Sequence, residues 1–205
     1  MIAVIDYGVG NLFSLCSSLR MIGADTVVTS DVEMMKRADK LILPGVGAFG
    51  DAMQKLRESG LDRVIREEAA KGKPIMGICL GMQLLFEKSY EYGEHEGLGL
   101  LHGSVVPMQG KIPEGLKIPH IGWNALHLTR DSRGLRYVKD GECVYFVHSF
   151  YAMGCEDSLI ATAEYGEELT AAVEKDNVFG CQFHPEKSGS VGLNILRGFC
   201  EEGRG

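Results

Sequence analysis

Apolar residues recur along this chain in two different rhythms, and the change between them at residue 101 separates a regular first half from a finer-grained second one. In the first half, short apolar runs alternate with stretches of helical spacing. Residues 2–6, 26–29, 40–43 and 74–78 read as strands, 11–22 as a helix, 48–71 as a helix interrupted at Gly60, and 80–87 as a further helix. Alternation of this kind predicts βαβ units, in which crossover helices join parallel strands. Beyond residue 101, shorter runs separated by turn residues predict strands over 103–108, 125–128, 143–147, 159–164, 170–174 and 178–183, followed by a closing helix over 189–201. The expected fold is α/β: a mixed, largely parallel sheet flanked by helices, with an antiparallel, strand-rich portion in the C-terminal half. Residues 90–99, rich in glycine and acid, read as an exposed loop, while 31–40 and 129–141 carry no usable motif. No repeat, linker or low-complexity block interrupts the 205 residues, so 1–205 reads as a single domain long enough to bury a full core.

Against this background one thiol stands at a chemically useful place. Gly77-Ile78-Cys79-Leu80-Gly81-Met82-Gln83 puts Cys79 between a buried strand and a helix, on a strand-turn-helix elbow. The start of a helix stabilises a thiolate, and the free amide of Leu80 can donate to an oxyanion formed on an attacked carbonyl. Glycines at 77 and 81 remove β-carbons that would crowd the turn. Taken alone, such a cysteine is more often a small core residue. A second segment changes the balance, because the strand ending Cys181-Gln182-Phe183 runs into His184-Pro185-Glu186-Lys187-Ser188. A cysteine nucleophile needs a base, and the base needs a group that holds its tautomer; His184 and Glu186 supply both if the segment is extended, where i and i+2 face one side. A lone His-x-Glu is usually a solvated pair. Contact between Cys79 and His184 requires adjacent strand ends, which a parallel sheet provides.

Gly45-Val46-Gly47-Ala48-Phe49-Gly50 fits the dinucleotide pattern Gly-x-Gly-x-x-Gly. The acidic residue due about 20 positions on, at the end of the next strand, falls instead in the charged helical run 62–71, so a nucleotide cofactor is not expected.

Together these motifs resemble the class I (triad) glutamine amidotransferases, which hydrolyse glutamine and pass on its ammonia. Asp6-Tyr7-Gly8-Val9-Gly10-Asn11, Pro44-Gly45-Val46-Gly47-Ala48-Phe49, Pro119-His120-Ile121-Gly122-Trp123-Asn124 and Tyr145-Phe146-Val147-His148-Ser149 are similar, within that class, to the glutaminase subunits of imidazole glycerol phosphate synthase, of histidine biosynthesis. The resemblance spans essentially the whole chain. It implies a triad of Cys79, His184 and Glu186; oxyanion donors from Leu80 and from the loop at Val46 and Gly47; and a grip on the amino-acid end of L-glutamine by Gln83 and the backbone of His148, Ser149 and Phe150. It further implies a partner, the (βα)8-barrel cyclase subunit, docked through Asn11, Pro119, His120, Trp123, Asn124 and Lys187. Trp123 could equally be core, the usual fate of a single tryptophan. Another triad amidotransferase, or a non-catalytic binding module of this fold, remains the alternative.

Composition narrows the partners without choosing among these. A net charge of −7 with no basic block argues against nucleic acid or an anionic membrane. The six cysteines form no Cys-x-x-Cys pair, which suits a reduced compartment and neither a disulfide framework nor a metal site. The chain opens on a strand and not on a basic-then-apolar leader, so a cytoplasmic protein is expected. No Walker-type motif is present to consume the ammonia, which again implies a synthase partner.

Overall fold

The computed structural model describes residues 1–201. Strand β1 (Ile2–Ile5) leads through helix α1 (Leu12–Met21) to β2 (Thr26–Thr29), and α2 (Val32–Arg37) leads on to β3 (Lys40–Leu43). Parallel neighbours cannot be joined by a tight turn, and these helices supply the crossovers. The next crossover is a pair, α3 (Phe49–Ser59) and α4 (Leu61–Ala70), divided at Gly60, whose φ of 72° ends the first helix without β-carbon strain. Strand β4 (Ile75–Ile78) follows, then α5 (Leu80–Leu84), β5 (Phe86–Ser89), β6 (His95–Glu96) and β7 (Leu101–Pro107). The remainder comprises β8 (His120–Ala125), β9 (His127–Leu128), β10 (Cys143–His148), β11 (Phe150–Met153), β12 (Leu159–Glu164), β13 (Glu168–Lys175), β14 (Val178–Cys181) and α6 (Gly189–Glu201).

Among the described residues the main sheet has eight strands in the order β2-β1-β3-β4-β14-β13-β12-β9. The first five run parallel, and β13, β12 and β9 continue it antiparallel. Strands β1, β3, β4 and β14 are buried along their whole length, as strands covered on both faces must be. Alternate side chains enter alternate cores: Ala3 and Ile5 pack with Met53, Leu56 and Ile65, whereas Ile2 and Val4 pack with Leu19, Ile195 and Phe199. A four-stranded sheet, β11-β7-β5-β6, and a two-stranded one, β10-β8, complete the sheets of the described residues.

Several expectations need correction. The helix expected over 80–87 ends at Leu84, because the carbonyl of Leu84 accepts from Leu98, that of Leu85 from Leu100 and Leu101, and Phe86 starts a strand paired with β7. For the same reason 90–99 is not simply exposed: it contains β6 and buries Glu91 and Leu98. The strand expected over 125–128 instead spans the last residue of β8 and the two-residue β9, since β8 pairs with β10 and β9 with β12 while Leu126 turns into the core between them. Helix α2, capped by Asp31 through the Met34 amide at 2.8 Å, lies in a stretch whose sequence carries no usable motif. Strand β11 was likewise not anticipated.

Candidate active site

Register brings the candidate residues together. Cys181 of β14 lies opposite Ile78 of β4, so Cys79, next after Ile78, and His184, shortly after Cys181, leave the sheet at the same edge. Cys79 has φ 54° and ψ −112° and directly precedes α5. A non-glycine residue there stores strain on the order of 1–3 kcal/mol, held by its surroundings. A β-carbon on Gly77 would come within 2.7 Å of the Gly81 carbonyl oxygen, and one on Gly81 within 1.8 Å of the Leu43 carbonyl oxygen, so the elbow fits only with glycine at both positions. The sulfur is buried, with the Gln182 side-chain nitrogen 3.8 Å away and the Val147 carbonyl at 4.0 Å. At the start of α5 the amides of Leu80 and Gly81 have no acceptor within the helix.

His184 donates from Nδ1 to Glu186 Oε1 at 2.8 Å, both side chains buried. The pairing does not arise from the extended segment expected from the sequence: Pro185–Lys187 forms a 3-10 turn, which folds Glu186 back beneath the imidazole. Ser188 braces the turn by donating to the His184 carbonyl at 2.6 Å and accepting from the Tyr145 amide at 3.0 Å. Burial alone would drive the His184 pKa down, but hydrogen bonds to Cys79 and Glu186 outweigh it and raise the value to about 9. An imidazole of that basicity takes a thiol proton readily.

A cavity of about 370 Å³ opens over the sulfur, lined among others by Val46, Gly47, Gln83, Glu91, Phe150 and Lys187. The Gly45–Gly47 loop lies against α5; a β-carbon on Gly45 would meet the Gly81 amide at 2.8 Å. Gln83 spends its amide protons inside the protein, on the Phe150 carbonyl at 3.1 Å and Gln182 Oε1 at 3.0 Å, so only its oxygen faces other partners. The Ser149 carbonyl already accepts from the Met108 amide at 3.0 Å. Sequence reasoning missed Glu91 and Tyr92 in the wall, Gln182 beside the sulfur and Tyr7 behind the loop. Glu91 accepts the Phe49 amide at 2.6 Å at the start of α3, and burial pushes its carboxyl pKa up.

The six residues expected on a docking face divide. Along β8, Ile121 and Trp123 point outward at 59% and 56% exposure, so Trp123 is not core; it meets Tyr145 edge-on at 6.0 Å, and Lys187 Nζ lies 5.9 Å from that ring. Asn11 is exposed and caps α1, and Pro119 is exposed at the cavity wall. His120 does not belong to the exposed face. It is buried between the rings of Phe146 and Tyr165, with Nδ1 3.1 Å from His148 Nε2 and Nε2 2.7 Å from Asn124 Oδ1. Asn124 donates to the Glu164 carbonyl at 2.9 Å, and His148 Nδ1 lies 2.9 Å from that of Phe150.

Burial, with smaller contributions from His120 and His184, pushes the His148 pKa from 6.5 down to about 4. Between those values the unfolded chain binds a proton that the folded one refuses. Stability is therefore fully present above about pH 6.5 and falls as the pH drops toward 4, by about 3 kcal/mol in total. Urea midpoints measured at pH 7 and pH 4.5 should separate less in His148→Gln than in the wild type. An equal separation would remove His148 from that window.

Among the described residues no helix is long and apolar enough to cross a membrane, and no group of three or more His, Cys, Asp or Glu side chains is placed to hold a metal.

The family described as "Glutamine amidotransferase class-I" matches residues 3–202. The chain is 52% identical to a protein named "Imidazole glycerol phosphate synthase subunit HisH" from Caldanaerobacter subterraneus subsp. tengcongensis, over 98% of each chain. It is 54% identical to one of the same name from Bacillus licheniformis, over 97% of this chain and 95% of that one. Among solved structures, a glutamine amidotransferase superposes with a TM-score of 0.76 at 20% identity over 98% of both chains. A chain of PurLQS from Thermotoga maritima superposes at 0.72 with 24% identity, over 97% of this chain and 96% of that one. Both share its fold.

Proposed function

The chain belongs to the class-I glutamine amidotransferase family, and from that premise we propose that it is the glutaminase subunit of imidazole glycerol phosphate synthase, acting in histidine biosynthesis. The observation that carries this reading is the convergence of Cys79 and His184 on the wall of one cavity of amino-acid size, with His184 hydrogen-bonded to Glu186 behind it. The side-chain amide of L-glutamine lies over Cys79, His184 accepts the thiol proton, and sulfur attacks the carbonyl carbon. The tetrahedral oxyanion takes hydrogen bonds from the Leu80 amide and from the loop at Val46 and Gly47. His184 returns its proton to the departing ammonia, then activates the water that hydrolyses the γ-glutamyl thioester, while Glu186 holds the ring. Gln83 and the backbone of His148, Ser149 and Phe150 border the amino-acid end. Glu91, an acid lining the cavity, suits the substrate's ammonium. No step calls for a cofactor or metal.

Free ammonia in neutral water is mostly protonated and not nucleophilic, so it must be delivered where it is used. The recipient is the (βα)8-barrel cyclase subunit, docked over Asn11, Pro119, Trp123, Asn124 and Lys187. An acidic chain without a basic block fits neither nucleic acid nor an anionic membrane as partner, and suits the cytoplasm.

The direct test is glutamine hydrolysis by the purified chain with and without the barrel subunit and its ligand. Turnover coupled to the barrel is expected; a chain that hydrolyses no glutamine with it present would sink the reading. Trp123 tests the docking face separately. As the sole tryptophan and half in water, it should change fluorescence saturably on adding a tryptophan-free barrel subunit. Trp123→Ala should weaken association by roughly 2 kcal/mol or more, as interface aromatics do, and impair synthesis from glutamine while sparing synthesis from ammonium salts. Unchanged fluorescence and a normal glutamine-dependent rate would move the interface elsewhere.

A further inference from the structure

Tyr7 follows β1 and is buried, and its hydroxyl donates to the Pro44 carbonyl at 2.8 Å. That carbonyl is the last acceptor before the Gly45–Gly47 loop. The next α-carbon, Gly45, is slotted between the phenol and the first turn of α5: a β-carbon there would lie 2.9 Å from the Tyr7 hydroxyl, 2.9 Å from Leu80 Cβ and 2.8 Å from the Gly81 amide. Behind the loop, Gly10 at φ 121° presses on the Pro44 ring, where a β-carbon would approach to 3.3 Å. The segment after β1 therefore backs the loop, and the phenol is its polar fastening.

We propose that Tyr7 is a positioning residue for glutamine hydrolysis: its hydroxyl fixes the Pro44–Gly45 peptide against α5 and thereby holds the loop amides where the oxyanion develops. This rests on the glutaminase reading and on the loop's part in it. Tyr7 is not among the residues lining the cavity, so it acts through the loop and not on substrate. Burial, and then the charge of nearby Cys79, raise its pKa, so the hydroxyl remains a donor throughout the working pH range. Phenylalanine would fill the same volume but leave the Pro44 carbonyl without its donor, and the loop free to shift against the first turn of α5.

Interactions that strengthen only in the transition state affect kcat and not KM. In the complex with the barrel subunit, Tyr7→Phe should therefore lower kcat about 10- to 100-fold, below the ~10²–10³ expected for deleting an oxyanion donor outright, with KM for glutamine unchanged. Glutamate γ-semialdehyde, an aldehyde that forms a tetrahedral adduct with the thiol, should bind more weakly by a similar factor. Alkylation of Cys79 by iodoacetamide, which creates no oxyanion, should keep its wild-type rate. Site-specific 3-fluorotyrosine at position 7 retains the O–H and should retain kcat. An unchanged kcat in Tyr7→Phe, or a loss matched by equally slow alkylation, would overturn the proposal, the second outcome marking a displaced nucleophile. A wild-type complex unable to hydrolyse glutamine would instead overturn the glutaminase reading, and this assignment with it.

Discussion

Cys79→Ala is expected to fold as the wild type does and to lose glutaminase activity by on the order of 10⁴ or more, the scale of removing a nucleophile from a triad. Chemical labelling makes the expectation sharper, because exposure and mechanism rank the six cysteines differently. Cys143 is exposed and Cys16 half-buried, whereas Cys79 is 8% exposed. On access alone, limiting iodoacetamide would mark Cys143 first. If His184 draws the proton from Cys79, the order inverts and Cys79 reacts first, with the barrel subunit supplied if the site is closed without it. The other buried thiols compete poorly: burial pushes the pKa of Cys155 up and that of Cys181 well up. Labelling led by Cys143 together with an active Cys79→Ala would falsify the nucleophile assignment. Circular dichroism of the variant separates chemistry from folding.

Gly81→Ala should produce a large loss of stability from a single methyl group. The added carbon would lie 1.8 Å from the Leu43 carbonyl oxygen and 2.8 Å from its carbonyl carbon, both backbone, so no side chain can rotate away. Relief requires β3 and α5 to part, which costs about 3–5 kcal/mol, the upper range for overpacking and strain. For a chain of this size the fall in Tm is on the order of 10 °C. Because the separation occurs one residue from Leu80, glutaminase activity should fall with it. Gly23→Ala is the comparison: φ is 74° but nothing lies within 4 Å, so only the left-handed backbone costs it, about 1 kcal/mol. Equal melting temperatures for the two variants would mean that the elbow yields more easily than its contacts imply.

The parallel half was legible because its strands are buried on both faces, and Ile2–Ile5 or Lys40–Leu43 therefore read as near-continuous apolar runs. The same rule hid β8. There the buried positions include His120, and the outward ones carry Ile121 and Trp123, which inverts the usual alternation. Helix α2 is six residues long, too short for periodicity to register. At the site, Cys79 and His184 were legible because each lies in a local motif. The turn that brings Glu186 under the imidazole was not, since His-Pro-Glu is compatible with both extended and turned backbone. Glu91 reaches Phe49 across 42 positions, and Tyr7 reaches Pro44 across 37. Such contacts follow from how the loops assemble on the sheet, and no spacing within either segment announces them.

His120 and His148 have one more hydrogen bond to make than they have protons. His148 faces the Phe150 carbonyl and His120 faces Asn124 Oδ1, while the Asn124 nitrogen is committed to Glu164, so neither end can lend a hydrogen. Three contacts in a row therefore share two ring protons when both imidazoles are neutral. A third proton would satisfy all three as a shared cation, but burial, and the neighbouring histidines, keep His148 near pKa 4 and so keep that proton out at neutral pH. One contact is always two lone pairs facing each other. Which one it is depends on the tautomers, and each choice leaves a different seam loose: between β8 and its own asparagine, between β8 and β10, or between His148 and the wall of the cavity. The strand that carries Trp123 is thus tethered to the cavity over Cys79 by a chain with a movable missing link.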